Sequence, residues 1–163
     1  MPLTPFHLGP GALLTVATGA SFTAFLVANV LIDVESGYHL LTDQYPVHTF
    51  LHTFAGATIV AIATTLVTCA IERWRRLRRP RNPDQTRRST TSYAALAGGA
   101  FAGAWSHVVL DAVMHGDVRP LAPWSEANPL YRVIGLWPLH GACVALGGLG
   151  VAIFLRQWGR VRC

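Results

Sequence analysis

Two pairs of ionisable residues lie four apart at the ends of apolar stretches. His107 and Asp111 sit in Ser106-His107-Val108-Val109-Leu110-Asp111, and His48 and His52 in His48-Thr49-Phe50-Leu51-His52. On a helix this spacing stacks two side chains on one face, so each pair could grip one metal ion. Ionisable groups beside long hydrophobic runs are expensive and are rarely kept without a function. Asp33, at the end of another apolar run, and His7, at the start of the same run, complete a candidate ligand set of His7, Asp33, His48, His52, His107 and Asp111. Imidazole and carboxylate together suit a divalent metal, Zn²⁺ first, with Mn²⁺ or Fe as alternatives.

One ion would sit between His107, Asp111 and one of His48 or His52. A second would be held by Asp33, His7 or Glu35, giving a two-metal site with ions roughly 3.5–4 Å apart that activates water at neutral pH. Glu35 or Asp117 would then act as general base or hold a ligand in place. Arg119 is the basic residue near the cluster, suited to an anionic substrate or to Asp117. His115 shares a helical face with His107 and Asp111 and reads equally as ligand or loop, while His140 opens the last helix on the same side. His39 and Asp43 read as solvated loop residues.

The elements that must position these residues are hydrophobic. The chain has 163 residues, is 52% hydrophobic and 13% charged, and has a mean hydropathy of +0.37. Soluble domains carry about 25% charge, so there is too little polar surface here to cover a soluble fold. Four apolar segments, about 8–32, 50–71, 93–114 and 134–155, are each near the roughly 20 residues that cross a bilayer. Small residues are dense in them, as in Ala97-Gly98-Gly99-Ala100, which suits close helix packing in a membrane. The expected fold is therefore all-α, one membrane domain over 1–163 with three to four transmembrane helices.

Gly19 and Ser21 interrupt the first segment and could turn it into a hairpin of two helices. A straight span would put His7 on the face opposite Asp33, whereas a hairpin would return it to Asp33.

All thirteen basic residues are Arg; eight lie between Arg73 and Arg88, and three more close the C-terminus. Directly after an apolar segment, such a run reads as a cytoplasmic loop under the positive-inside rule rather than as a nucleic-acid patch. With the loop 72–92 and the C-terminus in the cytoplasm, segments two to four cross down, up and down, and the His and Asp residues gather at the opposite face. The N-terminus lacks a positive n-region, so no cleavable signal peptide is expected. Cys69, Cys143 and Cys163 show neither metal-ligand spacing nor a disulfide framework.

Read in order, these motifs resemble the family of membrane-bound, metal-dependent hydrolases typified by the bacterial inner-membrane proteins YbcI and YdjM. The matching segments are Thr4-Pro5-Phe6-His7-Leu8-Gly9, Asn29-Val30-Leu31-Ile32-Asp33-Val34-Glu35, His48-Thr49-Phe50-Leu51-His52-Thr53 and Ser106-His107-Val108-Val109-Leu110-Asp111, followed by the Pro-rich Arg119-Pro120-Leu121-Ala122-Pro123-Trp124. The family's commoner P-D-I-D-H is Ile-Asp-Val-Glu here, so Glu35 stands at the second Asp. The Arg of its H-R-G-x-T-H-S segment is absent. The ligand order is also similar to zinc-dependent phospholipase C and P1-type nucleases, which favours the hairpin.

The resemblance implies metal-dependent hydrolysis in the inner membrane, of a phosphoester or lipid-derived substrate presented from the bilayer. A metal or solute transporter, or a membrane protein whose metal only staples helices, would use the same residue types. A transporter's ligands should line a path across the membrane, whereas these crowd one end.

Overall fold

The computed structural model describes residues 4–78 and 91–162, and among these it is all-helical, with no strand. After a 3₁₀ turn at Thr4–His7 come α1 (Leu8–Thr18), α2 (Phe22–Leu41), a second 3₁₀ turn at Phe50–His52, α3 (Phe54–Arg78), α4 (Tyr93–Met114) and α5 (Leu136–Arg162). Four of the helices, α2 to α5, are long and apolar enough to cross a membrane. The 11 residues of α1 reach only about 16 Å at 1.5 Å per residue, too short to span.

The first apolar run is broken where the sequence allows it. Gly19 takes a left-handed conformation, φ 73°, and its N–H closes α1 on Thr15 O. Ser21 then caps α2, its hydroxyl accepting from the Ala24 N–H. α1 and α2 therefore form a hairpin. α2 does not stop near Asp33 as expected but runs two more turns to Leu41, so His39 lies in its last turn rather than in a loop. None of Val34 to Leu41 forces a helix to end; Asp43, at φ 52°, lies just past the stop.

α2 and α4 run side by side in the same direction. The Ser21 N–H donates to Ala95 O at 2.8 Å at one end, and the Asn29 amide donates to Gly103 O at 3.3 Å further along. Their seam is made of small residues: Ala24, Ala28, Ala100 and Ala104 are fully buried. A Cβ on Gly103 would fall on the Phe25 carbonyl, so only glycine permits this approach. α3 packs on α4 in the opposite sense, with Trp105 bonded to Thr58 at one end and Arg76 to the Thr91 carbonyl at the other. α5 packs chiefly on α1.

Polarity is distributed as a bilayer requires. Large apolar side chains such as Ile59, Leu66 and Leu155 face outward, while His52, His107, Asn29 and Asp111 are buried. Arg73, Arg75, Arg76 and Arg78 close α3 at the end away from His52. Of the loop read at 72–92, residues 72–78 continue α3 and residues 79–90 lie outside the described residues.

Candidate metal centre

The site begins with backbone proximity. Because Gly103 lets α2 approach α4, Asn29 reaches across the seam. Its Nδ2 donates to Gly103 O, which orients the amide so that Oδ1 accepts from the His107 Nδ1–H at 3.3 Å. That bond places a proton on Nδ1 and turns Nε2 inward. His52 is held similarly: Ser36 Oγ, which donates to the Val47 carbonyl, meets its Nδ1 at 3.4 Å. Both rings are fully buried, and neither Nε2 has a hydrogen-bond partner.

These inward nitrogens meet carboxylates. His107 Nε2 lies 3.2 Å from Asp33 Oδ1 and 3.2 Å from Asp111 Oδ2; His52 Nε2 lies 3.2 Å from Asp111 Oδ2 and 3.8 Å from Asp33 Oδ1. Nitrogens facing carboxylate oxygens at such distances make a donor set that a cation between them would satisfy. Asp33, His52, His107 and Asp111 form a group that could hold a metal ion.

Asp111 is the hub. His52, His107 and, at 3.9 Å, His48 approach its Oδ2, while His7 at 3.1 Å and His115 at 4.0 Å approach Oδ1. The hairpin thus returns His7 to the cluster, where it stacks on His107 at 4.3 Å between ring centroids. His7 comes beside Asp111 and His107, the partners the hairpin gives it.

The pair His48 and His52 divides. It does not lie on a helix, because Thr53 caps α3 through the Gly56 N–H and the helix starts after His52. His52 joins the deep group. His48 turns to the surface with His115 and Asp117, and these three form a second group that could hold a metal. His48 Nδ1 meets Asp117 Oδ2 at 2.9 Å, and the His48 and His115 rings stack at 4.5 Å. The loop after α4 is tied back by Asn128, which donates to the Ala112 and His115 carbonyls.

Charge follows this geometry outside the spans. Burial pulls the His52 imidazole below its usual pKa, against the opposing pull of the adjacent Asp111 carboxylate. Burial also lowers His115. Burial raises the Asp117 carboxyl, but the His48 hydrogen bond and charge outweigh it, leaving the group below its ordinary value. Both lowered imidazoles favour the neutral form that binds metals.

The remaining candidates lie at the margins. Glu35 accepts the Leu51 N–H at 2.6 Å and so holds the turn carrying His52 against α2. Arg119 pairs with Glu126 at 3.4 Å and lines a cleft of about 230 Å³ with Thr49, Phe50, Thr53, Ala122 and Pro123. His140 packs against Phe6, next to His7. Asn29 and Ser36 were not anticipated. Their signal was available: Asn29, Asp33 and Ser36 are spaced i, i+4, i+7, one polar stripe on an apolar helix.

A family model described as YdjM inner membrane protein matches residues 5–161, nearly the whole chain. The chain belongs to the YdjM inner membrane protein family. No curated protein and no solved structure matches it. Family membership and the four apolar helices agree on a protein of the inner membrane, surrounded by lipid.

Proposed function

We propose that this member of the YdjM family is a metal-dependent hydrolase whose site opens on the non-cytoplasmic side of the inner membrane. The observation that carries the reading is the convergence of buried, pre-oriented imidazole nitrogens on Asp111, with Asp33 on the other side of His107. The donor set of nitrogen and carboxylate oxygen fits Zn²⁺, with Mn²⁺ or Fe as alternatives. When bound, such an ion supplies Lewis acidity that activates water and draws charge from the scissile group.

The chain's own residues do the rest. Asn29 and Ser36 fix the His107 and His52 rings before any ligand arrives. Glu35 holds the His52 turn, which favours a positioning role over that of a base. Arg119, beside the segment carrying Thr49 and Thr53, would orient an anionic substrate such as a phosphoester or lipid headgroup. The cluster's place at one end of the helices favours hydrolysis over transport. Between Ser21 and Ile32 in α2, and between Ala94 and Ser106 in α4, no residue is ionisable.

Two measurements test this. Elemental analysis of detergent-purified protein should find bound metal that is absent from Asp111→Ala. The same preparation should hydrolyse a member of a phosphoester and phospholipid panel, with activity lost to chelator and restored by Zn²⁺. Protein that takes up no metal even after supplementation would overturn the reading. Orientation is checked by a C-terminal green fluorescent protein fusion, which should fluoresce only if that terminus is cytoplasmic.

A further inference from the structure

His48, His115 and Asp117 lie outside the deep group, and two of them, His115 and Asp117, fall outside the motifs that carry the family resemblance. Each offers one ligand atom, and the three atoms lie within 4.8 Å of one another. Asp111 reaches both imidazoles from below, Oδ2 at 3.9 Å from His48 and Oδ1 at 4.0 Å from His115. An ion pair between His48 and Asp117 would explain two of these residues. It would leave unexplained why His115 stacks on His48 with its Nε2 turned to Asp111.

We propose that His48, His115 and Asp117 hold a second divalent cation, with Asp111 shared between it and the deep one. This rests on the reading of the deep group as a metal site. Exposure separates the imidazoles of the two sites: His115 and His48 are 22% and 11% exposed, against 0% for both His52 and His107, while the carboxylates Asp117 and Asp33 are similarly open at 38% and 35%. The second cation is therefore the one that exchanges more readily with solvent. Asp117 serves there as a ligand rather than as the general base or ligand-positioning residue expected from sequence.

The test uses full-length, detergent-purified protein titrated with Mn²⁺ alone, read by elemental stoichiometry and by electron paramagnetic resonance. The wild type should take up two equivalents and show the multiline signal of a coupled pair. His115→Ala and Asp117→Asn should each keep one equivalent and show only an isolated-ion signal; the retained ion reports that the fold is intact. A wild type that binds one equivalent, or variants that both keep two, would overturn the second site while leaving the first. A wild type that binds none would overturn the hydrolase reading itself. If either variant loses both ions, His107→Ala decides: an independent second ion must survive there, and its loss in every variant would mean a single undivided centre.

Discussion

α4 and α5 are both long apolar helices, yet they have opposite relations to the fold. α5 is the more hydrophobic, with a mean hydropathy of 1.8 over its best window against 1.2 for α4, but 17% of that window is buried against 56% for α4. In a soluble protein the order would be reversed. In lipid the outward face must be apolar, so the helix with more small and polar residues goes to the centre, where its polar groups find partners. α4 supplies His107 and Asp111 and meets α1, α2 and α3; α5 rests chiefly on α1. The central position thus follows from the small and polar residues of α4, and substitutions in the two helices should separate sharply.

The largest effect belongs to Asp111→Ala. Five imidazoles approach its two oxygens, so its removal should abolish metal retention altogether. Elemental analysis after gel filtration reads this, and full retention would deny Asp111 its central role.

Next come two glycines of α4. A Cβ at Gly103 would strike the Phe25 backbone, whereas one at Gly98 meets only the Ala20 Cβ at 3.8 Å. Gly103→Ala should therefore cost about 1–3 kcal/mol by overpacking, and should weaken metal binding by moving Asn29 away from His107. Gly98→Ala should be neutral or stabilising by up to about 1 kcal/mol. Thermal unfolding in one detergent compares them; equal effects would mean the α2–α4 seam is looser than described. A smaller, specific effect is expected at Asn29→Ala, which removes the fixed partner of His107 Nδ1. Loss of such a partner weakens metal affinity by roughly 10–100-fold, read by competition with a chromophoric chelator while the unfolding midpoint of the metal-free protein changes far less.

The sequence shows these relations unevenly. The four apolar segments, the break at Gly19–Ser21 and the pair His107–Asp111 are local features of composition and period, and the folded chain keeps them. The extent of α2 is less legible, because Glu35 and Ser36 look like loop residues until their partners Leu51 and His52 are known. His48 and His52 have helical spacing without a helix, since the Thr53 cap that decides the start of α3 lies just beyond them. Their separation into two groups depends on where the loop carrying Asp117 returns. That return is fixed by Asn128, eleven residues further on, and no local pattern encodes it.

The smallest expected effect lies in α5. Leu96 in α4 is 6% exposed and belongs to the core, whereas Leu149 in α5 is 51% exposed. Leu96→Ala opens a cavity among packed side chains and should cost about 2–5 kcal/mol. Leu149→Ala removes the same atoms from a face that meets lipid. Lipid solvates that face in the folded bundle and in separated helices alike, so the change should stay within about 0.5 kcal/mol. Unfolding of both variants in one detergent reads the difference. A cost above about 1 kcal/mol at Leu149 would show that the exposed face of α5 packs against protein, and that burial within one chain understates its role.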